Sequence, residues 1–308
     1  MAFGQVAADH VAATSTPSAL AKARGYVALT KPRIIELLLV TTLPTMVVAQ
    51  RGLPPLSLMV WTLLGGSLAA GGANAINMVV DRDIDAVMHR TRDRPLVTGL
   101  LTPRAALTFA IGLEVAAFAV LASRVNALSA VLAVSATLFY VFVYTLWLKR
   151  STSNNIVIGG AAGAVPVLVG WAAVTGSLGW APVVLFGIIV AWTPPHTWAL
   201  AVKYRDDYTA ADVPMLPSVA SLHDTSVRIL AYTGLLWAVT LGFAAVAGMG
   251  VLYVLAAVLL GAVFTGFAVQ LLRDPTPGRA MRLFAWSISY ISLLFGAMAL
   301  DQLLRTGL

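Results

Sequence analysis

Apolar residues in this chain come in long unbroken runs separated by short polar breaks, with no period-two alternation that would mark half-buried strands. Nine runs fall near 34–50, 55–80, 102–122, 127–147, 154–174, 181–201, 226–246, 250–271 and 283–304. A hydrocarbon core of about 30 Å takes about 20 helical residues to cross, so each run predicts one membrane span. Lipid offers backbone N–H and C=O groups no partner, and a helix satisfies them within one segment. The expected fold is all-α and membrane-integral, with about nine transmembrane helices. The break "VAGMGV" between the seventh and eighth runs is thin, and eight spans with one re-entrant segment is the alternative.

Composition agrees: 59% of residues are apolar and 11% charged, against roughly half and a quarter in soluble domains. The net charge of +7 would suggest nucleic acid in a soluble protein. Here the basic residues sit in loops between the runs, so nucleic acid is set aside as a partner. When the loops alternate sides, all but Arg51, Arg124 and Arg305 of the 20 Lys and Arg residues fall on one side. The positive-inside rule then places the N-terminus in the cytoplasm and the C-terminus outside. The chain has no cysteine, which removes disulfides, thiolate metal sites and cysteine nucleophiles.

Residues 1–28 read as a polar tail and 29–308 as a single transmembrane domain. The tail lacks the basic start and apolar core of a secretory signal, and Asp9, His10 and the scarcity of Arg speak against a transit peptide. A bacterial plasma membrane is favoured over a mitochondrial inner membrane. "GGSLAAGGANA" and "GGAAGAVPVLVG" allow helices to approach closely around a cavity, where Pro166, Pro194 and Pro195 are able to kink them. Two wide polar loops, 81–104 and 202–225, follow the second and sixth spans, which suggests two similar halves.

Eight of the 13 acidic residues lie in those loops: Asp81, Asp83, Asp85, Asp93, Asp206, Asp207, Asp212 and Asp224. If the second span stays helical through its end, Asn77, Asp81 and Asp85 share one face over about 12 Å, drifting about 40° per step. Asp83 then points elsewhere. Oxygen donors on one face suit Mg²⁺, which takes one or two carboxylates and completes its shell with water and substrate phosphates. Arg90, Arg92 and Arg94 follow as forked phosphate donors. The simpler reading is a juxtamembrane loop in which Asp and Arg neutralise one another. The four-residue spacing that begins inside the span favours a metal–diphosphate site.

"NMVVDRDIDAVMHRTRDRPL" (77–96) resembles the Asn-xxx-Asp-xxx-Asp signature of the UbiA-type intramembrane prenyltransferases. "LTKPRI" (29–34), "YTLWLKRSTSNNIVIGGAAGAVPVLVGWAAVTG" (144–176), "WTPPHTWALAVKYRDDY" (192–208) and "VPMLPSV" (213–219) are similar to the haem-farnesylating members of that family. The resemblance implies nine helices around a lipid-accessible cavity, farnesyl diphosphate and haem B as substrates, Mg²⁺ as cofactor and haem O as product. It further implies that Asn77, Asp81 and Asp85 bind metal and diphosphate, with Arg90 and Arg94 beside them. Many relatives carry a second Asp-xxx-Asp after the sixth span; Lys203 and Asp207 stand there instead. Lys203 is then a diphosphate contact and Asp207 a metal ligand. Asp212 occupies a position where glycine is expected.

His196 is the one histidine expected inside a span. It is either a core residue bonded to a carbonyl freed by Pro194 and Pro195, or a haem-side group that ligates iron or helps water capture a cation. Tyr140 and Tyr144 stabilise an allylic cation or anchor the interface. Lys149, Lys31 and Arg33 reach diphosphate or a haem propionate, or simply orient the chain. Glu36 and Glu114 are acids expected within spans, with no role assigned. His10, His89 and His223 read as solvated loop residues. A quinone-precursor or chlorophyllide-like acceptor is the alternative within the family, and a transporter the alternative outside it. A transporter would place its carboxylates near the bilayer midplane, whereas these cluster at its edge. A membrane enzyme that modifies haem further is the expected downstream partner.

Overall fold

The computed structural model of the chain describes residues 18–307, apart from the side chains of Ile34, Leu37 and Leu38. The first 17 residues of the expected tail, His10 among them, lie outside the described residues. Every regular element among those described is helical. Much of the remaining tail is α1 (Ala19–Thr30), capped by the Ser18 hydroxyl, which accepts the Ala21 N–H at 3.2 Å. Lys31, at φ 51°, turns the chain into α2 (Pro32–Gln50), where proline at the first position gives up an N–H that would have no helical partner.

α3 (Leu56–Val80) passes through Asp81 into the short α4 (Arg82–Val87). Next come α5 (Pro103–Arg124) and α6 (Ala127–Leu138). α6 runs on through a π-helical segment, Phe139–Leu148, into α7 (Lys149–Ser151). α8 (Asn155–Thr175) and α9 (Trp180–Lys203) lead to two short helices, α10 (Arg205–Ala210) and α11 (Leu216–Val219). α12 (Leu222–Ala247), α13 (Val251–Arg273) and α14 (Pro277–Thr306) complete the chain. Among the described residues eight helices are long and apolar enough to cross a membrane, counting Ala127–Ser151 as one. The first expected span is α2, a 19-residue helix with Arg33 and Glu36 in its opening turns.

The thin break after the seventh span is a true helix boundary. Gly248 ends α12 at φ 60°, and the Asp301 carboxylate of α14 accepts the Gly250 and Tyr253 amides at the start of α13 (2.7 and 3.3 Å). Pro44, Pro166, Pro194 and Pro195 all lie within continuous helices.

Small residues face inward along parts of several helices, although the core also buries large side chains such as Tyr253, Phe264 and Phe295. On α5, Ala106, Ala110 and Ala117 are buried while Leu107, Ile111, Val115 and Phe118 face outward. On α13, Ala257 and Ala268 are buried, and Leu255 and Leu259 exposed. Lipid is as apolar as leucine, so the inward positions go to residues small enough for backbones to approach. A methyl group at Gly72 of α3 would lie 2.6 Å from Glu114 Oε1 on α5. Glu114 itself accepts the Thr137 hydroxyl of α6 at 3.1 Å. Glu36 is exposed on α2, not buried within the bundle.

α3 packs on α5, and α9 on α12, each pair flanking one of the wide polar loops. The loops also close on each other: Ile84, Met88 and Val213 form a small apolar cluster, and Asp207 accepts the His89 and Arg90 amides at 3.3 and 3.1 Å.

Asp212, where glycine is expected, keeps the left-handed conformation that glycine would adopt, at φ 52°. Aspartate tolerates this region better than most residues. Because Asp212 is exposed, backbone conformation dominates substitutions there. In thermal unfolding, Asp212→Gly is expected to be near neutral and Asp212→Val to cost about 1–2 kcal/mol. Equal losses from both would contradict the assignment.

Candidate active site

The helical ladder continues through the end of α3. Asp81 N–H donates to Asn77 O at 2.9 Å and Asp85 N–H to Asp81 O at 2.8 Å. Asn77, Asp81 and Asp85 therefore share a face, and all three are buried, at 4%, 0% and 2% exposure. Two carboxylates withdrawn from water need compensating charge, since the desolvation penalty is several kcal/mol for each ion. Lys149 reaches Asp81 Oδ2 and Arg94 reaches Asp85 Oδ2, each at 2.5 Å. Asn77 donates to Asp81 Oδ2 at 2.7 Å and accepts from Lys31 Nζ at 2.8 Å. Burial, with Arg94 and Lys149 close by, brings the Lys31 ammonium down to about 7.

Asp83 points away from this face, as the spacing requires. It receives both arms of Arg150 at 2.7 and 2.8 Å, and this fork holds its carboxyl well below the usual range. Arg150 was not singled out in the sequence. Neither was Thr145, whose hydroxyl accepts from Asn77 at 3.1 Å and donates to Tyr140 O at 2.8 Å. Thr145 and Tyr140 both lie in the π-helical segment, a rare form that recurs at functional sites. Thr145 stands four residues before Lys149, the one pattern that links it to the site.

Tyr140 and Tyr144 stack with ring centroids 5.5 Å apart at 17°. Gly159 of α8 makes room for this pair, because a methyl group there would lie 2.2 Å from the Tyr144 ring. Tyr140 and Asn74 also line a half-open apolar cavity of about 190 Å³. Its walls include Ala69, Ala70 and Ala73 of α3, Ala133 and Ala136 of α6, and Gly163 of α8. Along α3 it runs from Asn74 to Thr62, about 18 Å of helix axis.

The remaining expected residues fall into separate settings. The Arg90 guanidinium lies 5.3 Å from the centre of the Tyr204 ring, and Lys203 Nζ lies 5.5 Å from it. Arg90 also lies beside Tyr208, whose phenol is pushed up by burial. Asp207 joins this group through the Arg90 amide, so the two loops meet although Asp207 is occupied by backbone. Arg33 and Arg92 are exposed, as are His89 and His223. His196 stands apart, its ring between Trp192 and Phe284 at 4.2 and 4.6 Å. Its Nδ1 meets the Ser287 hydroxyl at 2.7 Å, so its partner is a side chain of α14 and not the carbonyl expected near Pro194.

The donor set fits a hard divalent cation. Asp81 Oδ1 is buried without a hydrogen bond, 3.7 Å from Arg150, and Asn77 and Asp85 supply further oxygens on the same face. Among the described residues no three His, Cys, Asp or Glu side chains converge, which leaves coordination positions to water and phosphate oxygens. A double-mutant cycle on Lys149→Met and Asp81→Asn tests the charge balance. Each single change is expected to destabilise, with a coupling of about 1–3 kcal/mol in chemical denaturation. Additive losses would contradict it.

The UbiA prenyltransferase family model matches residues 38–294. A protoheme IX farnesyltransferase from Frankia casuarinae is 54% identical over 286 residues, covering 92% of this chain and 99% of that protein. Protoheme IX farnesyltransferase 1 from Saccharopolyspora erythraea is 53% identical over 303 residues, with 96% of each chain covered. Among solved structures, a digeranylgeranylglyceryl phosphate synthase superposes with a TM-score of 0.75 at 15% identity, covering 91% of this chain and 98% of its own. A UbiA homolog from Archaeoglobus fulgidus bound to GPP and Mg²⁺ superposes with a TM-score of 0.63 at 16% identity, covering 89% and 99%. The chain is thus a multi-pass membrane protein that belongs to the UbiA prenyltransferase family.

Proposed function

We propose that this chain transfers the farnesyl group of farnesyl diphosphate to a vinyl group of haem B, with addition of water, giving haem O and diphosphate. The observation that carries this reading is the juxtaposition of a buried, cation-balanced Asn77–Asp81–Asp85 face with an apolar cavity beginning at Asn74 and Tyr140. A diphosphate on the first and a prenyl chain in the second place the allylic C–O bond between them. The haem acceptor rests on the relatives, more than half of whose aligned residues are identical to this chain's. Those relatives are bacterial, which supports a plasma membrane. The basic loops support a cytoplasmic N-terminus and an outer C-terminus, with 29–308 as one domain.

Asn77, Asp81 and Asp85 would hold Mg²⁺, with Asp207 joining if the loops shift. The ion, when bound, offsets diphosphate charge. Lys31, Arg94 and Lys149 are placed to bind the leaving diphosphate as the C–O bond ionises, with Arg90, Lys203 and Arg33 at the loop rim. The stacked Tyr140 and Tyr144 rings shield the allylic cation from water and present π-faces to it. The vinyl π-electrons form the new C–C bond. Water then bonds to the resulting porphyrin-side cation and loses a proton, for which His196 is the proposed acceptor. Haem O leaves as substrate for a further haem-modifying membrane enzyme.

Asp81→Asn and Asp85→Asn are each expected to lower turnover at least about a hundredfold while the protein remains inserted. Normal turnover by both would sink the metal assignment. Gly66 lines the cavity with open space around it. Gly66→Leu is expected to favour geranyl over farnesyl diphosphate in competition; unchanged preference would remove the cavity from prenyl binding.

A further inference from the structure

α9 and α14 meet at a polar contact whose chemistry is set by one hydroxyl. Ser287 is fully buried, and its Oγ lies 2.7 Å from His196 Nδ1 and 2.6 Å from the Phe284 carbonyl. A hydroxyl carries one proton and accepts through its lone pairs, whereas a carbonyl only accepts. Two oxygens at 2.6 Å with no proton between them would set lone pair against lone pair. The Ser287 proton therefore goes to Phe284 O. What remains on Oγ is a lone pair directed to His196, and Nδ1 must carry the proton that fills it. In a neutral imidazole this leaves the lone pair on Nε2.

We infer that Ser287 is a positioning residue that holds His196 in the Nδ1–H tautomer, which leaves the Nε2 lone pair available for the acceptor half of the reaction. The functional part rests on the haem-side reading of His196 proposed above. A proton acceptor for attacking water and a ligand to iron both need that lone pair, and an N–H at the same place supplies neither. In the first case water's oxygen bonds to the porphyrin-side carbon and its proton passes to Nε2, while Nδ1–H stays on Ser287. The ring's location is fixed separately. Trp192 stacks on His196 and donates its Nε1–H to the Ser287 backbone carbonyl at 2.8 Å, and Phe284 covers the other face. Removing the hydroxyl leaves those contacts in place, so the hydroxyl's distinct contribution is the choice of tautomer.

The test is nitrogen NMR of the full-length protein labelled with ¹⁵N-histidine in detergent, the His196 signals being identified by their loss in His196→Gln. Wild type is expected to show a protonated Nδ1 and a bare Nε2. Ser287→Ala should move the proton onto Nε2 in part or whole, and Ser287→Thr should keep the wild-type pattern. The same variants are then assayed with haem B and farnesyl diphosphate. Ser287→Ala is expected to lose about ten- to a hundredfold in kcat with KM for farnesyl diphosphate unchanged, and Ser287→Thr to recover most of it. A wild-type proton on Nε2, or a pattern that Ser287→Ala leaves alone, would overturn the tautomer assignment without touching the haem reading. A shifted tautomer with unchanged turnover would overturn the positioning role and the haem-side reading of His196 together.

Discussion

Two carboxylates buried at the edge of a membrane dictate much of what surrounds them. Asp81 and Asp85 are almost fully withdrawn from solvent, and neither is sustainable there as an isolated charge. Each is met by a cation from another part of the chain: Lys149 from the end of the fourth span, and Arg94 from the loop that follows Asp85. Lys31, from the turn before α2, completes the arrangement through Asn77. Three helix ends and one loop are thereby drawn to a single point. The surplus of basic groups around two acids is also what a diphosphate with its metal ion requires, so charge balance and ligand recognition draw on the same residues.

The apolar half of the site follows from the opposite rule. Inside a bilayer there is no hydrophobic gain in turning leucine inward, and the inner faces of α3, α5, α6 and α8 are given over to glycine, alanine and small hydroxyl residues. Close backbone approach at Gly72 draws α3 onto α5, while Gly66 and Gly163 leave space against the cavity. Gly159 does a third job, admitting the Tyr144 ring at the junction of the cavity and the charged cluster. Small residues thus shape an apolar channel next to the place where the buried carboxylates and their cations gather.

The spans were legible because a membrane helix announces itself by length and hydropathy alone, and the Asn77–Asp81–Asp85 face because helical continuation fixes a four-residue period. Features set by distant contacts were not legible. α1 lay in a stretch read as tail because its twelve residues, with Lys22 and Arg24 among them, are too short to read as a span, and its packing against α3 is a distant contact. The π-helical segment that turns Thr145 toward Asn77 has no signature in "FYVFVYTLWL". Asp207, read as a ligand from its place in a motif, also accepts two amides of the other loop, a contact the motif does not announce. The partner of His196 was sought nearby in sequence, and it stands 91 residues away. Asp212 is the converse case: the expectation of glycine located a left-handed residue that aspartate occupies.

The central claim, that this charged edge and apolar channel together farnesylate haem, is tested most directly by mass spectrometry of haem extracted after reaction. The purified protein in lipid would be supplied with haem B, farnesyl diphosphate and Mg²⁺, with EDTA as the control. The account predicts a haem heavier by one farnesyl group and one water, absent with EDTA. Prenylation of another acceptor while haem stays unchanged would contradict the acceptor assignment, and product formation that survives EDTA would contradict the metal site.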